Sequence, residues 1–507
     1  MNGKVLTSRS SGIMLHPTSL PGPYGIGDLG PEARRFVDYL AGAGQTLWQV
    51  LPLGPTGFGD SPYQCFSALA GNPLLISLED LAADPGPTLF SPDHVDFEHV
   101  IPWKTAVLEA AAKRFRTTAS AGERQRFEEF CCENADWLDD YALFQSVKQL
   151  APTLIWNQWD EDIRERDAQA LKRTRTRLAA AIDTQRFLQY AFFSQWNALR
   201  SYCRERGVRI MGDLPIYVAH DSVDVWTSRE YFQLDERGNP RVVAGVPPDY
   251  FSRTGQRWGN PLYDWAALGR NNYDWWLRRL RNALKLFDVV RLDHFRGFEA
   301  YWEIPADAPT AETGRWTKGP GRSLFQTLQK ELGALPLVAE NLGVITPEVE
   351  NLRAEFGFPG MSILQFAFGA DPQAPTFRPH NYTRDLVAYT GTHDCDTTVG
   401  WWTSSGHGES TRTEENIRRE RDNARRYLNT DGRSIHWDFI RALLASVANT
   451  VMIPLQDVAG LGSEARMNQP ATLSGNWRWR ARPGTLTHES AASLRALSEL
   501  YERNPQR

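Results

Sequence analysis

Eight short apolar runs, each breaking off into polar or charged residues, set the tightest limit on how this chain can fold. They are GIMLHPTSL (12–20), QTLWQVLPLGP (45–55), VRIMGDLPIYV (208–218), FDVVRLDHFRG (287–297), PLVAENLG (336–343), MSILQFAF (361–368), LVAYTGTHD (386–394) and TVMIPLQDV (450–458). A run that is apolar throughout, rather than alternating, suits a strand buried on both faces. Amphipathic stretches such as PEARRFVDYLAGAG (31–44) and NNYDWWLRRLRNALKLF (271–287) fall between such runs. Buried strands alternating with helices predict an α/β protein of the (β/α)8 TIM-barrel type. An open doubly wound sheet is the rival, but no GxGxxG follows the first run.

The spacing of the runs is uneven. The gap between the second and third is far longer than one crossover helix needs. Its sequence, including DWLDDYALFQSVKQL (136–150) and RFLQYAFFSQWNALRSYCRERG (186–207), has helical periodicity. We expect one catalytic barrel domain over 1–507. Insertions are expected at about 64–205 (mostly helical), 219–270 (lid and loops) and 395–440. All follow strand C-terminal ends, the face where barrel enzymes carry function.

Composition excludes several classes. The 56 basic and 61 acidic residues leave a net charge of −5, which argues against a protein that tracks nucleic-acid phosphates. The five cysteines include an adjacent pair and no CxxC, a poor disulfide or zinc framework. No apolar stretch approaches the ~18 residues of a membrane span. The first residues, MNGKVLTSRSSGIMLHP, lack a long apolar core of a signal peptide. A cytoplasmic protein is expected, with neither nucleic acid nor membrane as partner. The 18 Trp crowd into polar neighbourhoods, among them Trp258, Trp265, Trp401, Trp402, Trp477 and Trp479. Rings with an apolar body and an N–H donor suit clefts that are part dry and part wet, and sugars present that mixture.

Several runs end in ionisable residues where strand gives way to loop: Asp213, Asp293 with His294, Glu340, and His393 with Asp394. In a barrel these tips converge on one mouth. A single acidic tip is most simply a helix cap or a surface ion pair. Several at one pole repel one another, a cost that chemistry explains better than packing. Strand alternation points Arg291 and Asp293 the same way, so Arg291 is expected to keep Asp293 ionised, as a glycosyl nucleophile requires. Glu340 follows Leu-Val-Ala, and an apolar base beside another carboxylate should raise its pKa and keep it protonated, as a general acid needs. A divalent cation held by the four acids is the alternative, but Arg291 would compete with it.

Longer motifs then carry a resemblance. SLPGPYGIGDLG (19–30), WQVLPLGPTGFGDSPYQCFSALAGNP (48–73), GDLPIYVAHDSVDVW (212–226), GVPPDYFSRTGQRWGNPLYDW (245–265), RLDHFRGFEAYWEIP (291–305), VAENLGVITPEV (338–349), RPHNY (378–382), YTGTHDCDTTVGWW (389–402) and QDVAGLGSEARMNQPATLSGNWRWR (456–480) run nearly end to end. Together they resemble the 4-α-glucanotransferases called amylomaltases, or disproportionating enzymes in plants, of the α-amylase superfamily.

The resemblance implies a retaining, metal- and cofactor-independent transfer of an α-1,4-glucan segment to the 4-hydroxyl of another glucan. Malto-oligosaccharides, amylose and other α-1,4-glucans would be the partners. It implies Asp293 as nucleophile, Glu340 as general acid/base, and Asp394 as transition-state stabiliser aided by His393. Arg291, Asp213 and His294 would support or bind in the site. Asp249, Tyr250, Phe251, Gln256 and Trp258 would come from a loop over the cleft, and Ser61, Tyr63, His380 and Asn468 from the sugar groove. The chain departs from the family at Cys395 (commonly Asn), at Cys65 (frequently Ser) and in MNQPAT. An α-glucan hydrolase of the same fold and a non-catalytic glucan-binding protein are the competing readings.

Overall fold

The computed structural model describes residues 6–83, 85–86, 89–248, 252–405, 413–470, 472 and 474–504. Every apolar run overlaps one strand: β1 (Ser10–Met14), β2 (Leu47–Gln49), β3 (Arg209–Leu214), β4 (Val289–Leu292), β5 (Leu337–Ala339), β6 (Gly360–Ile363), β7 (Leu386–Tyr389) and β8 (Thr450–Pro454). The eight pair in parallel in the order β6-β7-β8-β1-β2-β3-β4-β5. The two ends of that sheet meet. The Ala339 N–H donates to the Pro359 carbonyl at 2.9 Å, and the Met361 N–H donates to Asn341 Oδ1 at 2.7 Å. This is the TIM barrel.

The chain's own chemistry explains the closure. Leu47, Met211, Val289, Val338, Met361 and Met452 pack together as a separate buried cluster, one from each of six strands. Strand alternation then brings every second residue to the same interior, so Asp213 and Arg291 follow Met211 and Val289 one layer up. Helices cover the outside. Pro31–Gly42 begins with Pro at its first turn, where a missing N–H costs nothing, and buries Ala33, Phe36, Val37 and Leu40. Phe36 meets Trp48 of β2 edge-on, 5.1 Å between ring centres. Asp274–Leu286 turns Trp276, Leu280 and Ala283 inward at helical spacing and leads directly into β4.

Helices Phe97–Thr118, Ala121–Glu133, Ala135–Leu150, Ala168–Arg177 and Ala179–Glu205 lie between β2 and β3. Residues 219–270 hold more than loops. Val242–Val246 and Gln256–Pro261 pair antiparallel, and Ala300–Pro305 and Arg315–Lys318 extend them to a four-stranded sheet beside the barrel mouth. Among the described residues no helix is long and apolar enough to cross a membrane.

The pole opposite the mouth is tied by two arginines. Arg503, fully buried, donates to the carbonyls of Leu443, Leu444, Ser446, Ala448, Asn449 and Ser10. Arg9 reaches Leu444 and Ser446 from the start of β1. Helix Ile435–Ala445 ends here, and its last carbonyls have no intrahelical donors.

Candidate active site

Asp213, Asp293, Glu340 and Asp394 stand at or just past the C-terminal ends of β3, β4, β5 and β7. Register brings the first three together: Asp213 lies opposite Arg291, and Leu292 lies opposite Ala339. Arg291 Nη1 lies 2.8 and 2.7 Å from the two oxygens of Asp213 and 2.9 Å from Asp293 Oδ1. The Tyr63 hydroxyl donates to Asp213 Oδ2 at 2.7 Å. The side chain of Asp213 has no exposure, Arg291 has 6% and Asp293 has 26%. Asp213 is therefore an anchor for Arg291 and Tyr63, whereas Asp293 opens on the mouth.

Glu340 is held from both sides. Oε2 accepts the His294 N–H and Oε1 accepts the Leu342 N–H, each at 2.8 Å. His294 takes a left-handed φ of 52°, which turns its N–H toward Glu340. Burial raises the Glu340 pKa despite Arg291 and the two N–H bonds. Burial also raises that of Asp293, and Asp213 and Glu340 add to it while Arg291 opposes them. Arg291 faces Asp293 as expected, but burial outweighs its pull toward the ionised form. Arg291 divides its charge between two carboxylates, and a third stands close by. Asp293 and Glu340 thus both hold a proton more tightly than an ordinary carboxyl group.

The third exposed-side acid behaves oppositely. Asp394 is 48% exposed. Burial opposes its ionisation, but His393 and the Asn468 amide hold its pKa down to about 2. His393 Nε2 lies 3.3 Å from Asp394 Oδ2, and Asn468 Nδ2 donates to Oδ1 at 2.6 Å. His393 stacks on Tyr63, 5.1 Å between ring centres and 20° between planes. Trp477 packs on both rings at 5.8 and 5.9 Å. Burial pushes His294 down to about 3, leaving a neutral ring whose Nε2 has no hydrogen-bond partner among the described residues. Trp258 meets that ring edge-on at 4.8 Å and donates to Gln256 Oε1 at 3.1 Å.

The structure thus gathers Arg291, Asp213, His294, His393, Tyr63, Trp258, Gln256 and Asn468 around the carboxylates. Ser61 shapes the same loop by accepting the Tyr63 N–H at 3.2 Å. His380 pairs through Nδ1 with the Tyr427 hydroxyl at 2.9 Å. Asp249, Tyr250 and Phe251 lie outside the described residues. Trp477 was missed as a site residue, although GNWRWR was among the motifs that matched. His16, past the end of β1, was missed as well. It is buried, pushed down to about 3 by burial and by the charge of His393.

The departures are quiet chemically. Cys65 donates to the Pro62 carbonyl, and burial pushes its thiol up to about 12. Burial pushes Cys395 up to about 11. Among the described residues no cluster of His, Cys, Asp and Glu has the makings of a metal site. Between Asp213 and Asp293, where a cation would sit, Arg291 Nη1 already stands. The arrangement offers one carboxylate facing a guanidinium, one carboxyl raised and backbone-bound, and a third acid kept ionised by His393 and Asn468. That set can protonate a leaving oxygen, receive a sugar carbon and hold hydroxyls.

Comparison with known proteins agrees. The profile of the 4-alpha-glucanotransferase family matches residues 15–487. A 4-alpha-glucanotransferase of Thermus thermophilus is 51% identical over 98% of this chain and 99% of its own. A chloroplastic/amyloplastic one of Solanum tuberosum is 43% identical over 97% of this chain and 85% of its own. The solved amylomaltase of Streptococcus agalactiae, in complex with acarbose, superposes with a TM-score of 0.91 at 39% identity, covering 98% of this chain and 99% of that one. The chain belongs to the 4-alpha-glucanotransferase family.

Proposed function

We propose that this 4-alpha-glucanotransferase works by a retaining double displacement with Asp293 as nucleophile, Glu340 as acid and then base, and Asp394 as the group that binds the sugar hydroxyls as charge develops. Glu340 gives its proton to the leaving glucan oxygen while Asp293 bonds to the anomeric carbon. Glu340 then takes a proton from the 4-hydroxyl of the acceptor as that oxygen displaces Asp293. The observation that carries this reading is the pairing of Arg291 with Asp293 at 2.9 Å beside Glu340, whose carboxylate is bound by the N–H of the residue after Asp293. The pair shares a raised proton affinity, which suits one member to start protonated and the other charged.

Malto-oligosaccharides and longer α-1,4-glucans are the proposed donors and acceptors. The acarbose bound by the Streptococcus agalactiae relative supports a sugar site of this kind. All five thiols are free, which supports a reducing, cytoplasmic setting. A fluorosugar donor that leaves fluoride and forms a slow-hydrolysing ester tests the central step. Peptide mapping should find the sugar on the peptide containing Asp293, and a label on another acid overturns the assignment. Maltotriose given alone should yield a ladder of longer and shorter chains.

A further inference from the structure

Glu340 draws one of its two N–H bonds from a turn whose Leu342 packs on the barrel interior but whose far end, Gly343 and Val344, is exposed. Leu342 supplies that N–H. Gly343 follows with a left-handed φ of 89°, and an added Cβ there would meet nothing within 4 Å. Val344 is 46% exposed. Such a turn would be free to open and withdraw the Leu342 N–H from the carboxylate.

The Asn341 side chain ties the start of the turn to Glu350 and to the Met361 N–H, and one buried side chain ties its far end. Arg296, 4% exposed, donates through Nη1 to the Val344 carbonyl. Its Nε donates to the Ala300 carbonyl at 3.4 Å. Its guanidinium carbon lies 3.6 Å from the ring centre of Trp316. Trp316 belongs to the strand Arg315–Lys318 of the side sheet and meets Trp302 edge-on at 5.1 Å. Arg296 therefore joins three separate parts of the chain: the 3-10 turn after Asp293, the turn after Glu340, and the side sheet at the mouth.

We infer that Arg296 is a positioning residue for Glu340, clamping the 340–344 turn so that the Leu342 N–H stays on the carboxylate. This rests on the reading of Glu340 as acid/base. A planar, multi-donor guanidinium suits the task, because it stacks on indole while donating to carbonyls at its edge. Lysine reproduces one donor and the charge but not the fork. The N–H bond stabilises charged Glu340, so loosening the turn raises its proton affinity. Glu340 also faces Arg291, Asp293 and Asp213, which the substitution leaves in place.

The test compares wild type with R296M and R296K in maltotriose disproportionation, with melting curves as a control on folding. R296M should lower kcat about tenfold to a hundredfold with KM little changed, the scale of a lost hydrogen bond to a charged group. The basic limb of its pH profile should move to higher pH, and R296K should recover part of both effects. Unchanged kcat and pH profile in folded R296M, or a rise in KM alone, overturns the inference. E340A with azide separates the two claims. If Glu340 is the acid/base, E340A accepts a glucosyl fluoride donor and yields glycosyl azide. E340A that turns over maltotriose normally overturns the Glu340 reading. Azide-rescued E340A beside a normal R296M overturns only the clamp.

Discussion

One nitrogen of Arg291, Nη1, lies within 2.8 Å of both carboxylate oxygens of Asp213, and the Asp213 side chain does not reach solvent. Arg291 is thus the counter-charge for a fully buried acid as well as for Asp293. Arg291→Met should cost about 3–5 kcal/mol, because removing one partner leaves a buried charge uncompensated. Activity should vanish with it. Asp213→Asn with Arg291→Met should melt above Arg291→Met alone. A single mutant as stable as wild type would show that water enters and screens the acids.

The raised carboxyls have a stability consequence with a defined sign. An acid whose pKa rises on folding binds protons in the native state that the unfolded chain has already released. Stability therefore falls as pH climbs from the ordinary carboxylate range through the folded value. Asp293→Asn removes that penalty and should melt about 2–4 °C higher at pH 7, with the gain shrinking toward pH 4. Glu340→Gln is a poorer probe, since both Glu340 oxygens accept N–H groups and an amide would face one with its own N–H. The Asp394–His393 pair runs the other way. Asp394, held down to about 2, contributes stability above its ordinary pKa and loses it as pH falls toward 2. His393, raised because Asp394 outweighs burial, contributes below its ordinary pKa and loses it as pH rises past the folded value. Calorimetry across pH checks both signs.

Trp258 should govern the choice between sugar and water. Its ring meets that of His294 edge-on at 4.8 Å, next in sequence to Asp293, the proposed nucleophile. Water at ~55 M competes with any acceptor unless the site is covered or the acceptor is bound. Trp258→Ala, and Phe251→Ala in the same segment, should lower transfer more than cleavage. The ratio of free reducing ends to disproportionation products measures this. An unchanged ratio in both variants would make the ring a packing element only.

The two thiols near the site should be inert. Cys65 and Cys395 are pushed up to about 12 and about 11 by burial, so thiolate is scarce at neutral pH. Iodoacetamide at pH 7.5 should leave activity intact, and Cys65→Ser should stay within about 1 kcal/mol of wild type in stability. Rapid inactivation traced to Cys65 would reveal an opening that the resting packing hides.

The barrel was legible because its strands are buried on both faces, which writes β3 and β4 as mostly apolar stretches running up to Asp213 and Asp293. The side sheet was not. Gln256–Pro261 reads Gln-Arg-Trp-Gly-Asn-Pro, with no alternation, and the sheet is completed by residues 300–305 and 315–318, remote in sequence. Within the site, Arg291 and Asp293 share a face by alternation alone, so their contact was readable. The division of Arg291 between two acids was not, because it depends on Asp213 arriving from the neighbouring strand. Trp477 reaches Tyr63 from more than 400 residues away, and no local pattern signals that. His380 shows a different limit: its motif matched, and nothing in the sequence signalled that its Nδ1 would pair with Tyr427.

The seam at Arg9 and Arg503 separates two jobs in space. Both side chains gather carbonyls where β1 and β8 begin, while every acid of the site stands where strands end. A polymer entering the mouth never passes the seam. Tethering the enzyme to a support through that pole should leave long glucan chains free to thread the groove. A rearranged chain that opens a loop elsewhere and bridges residues near 9 and 503 would trade a polar knot for a covalent one without touching the chemistry.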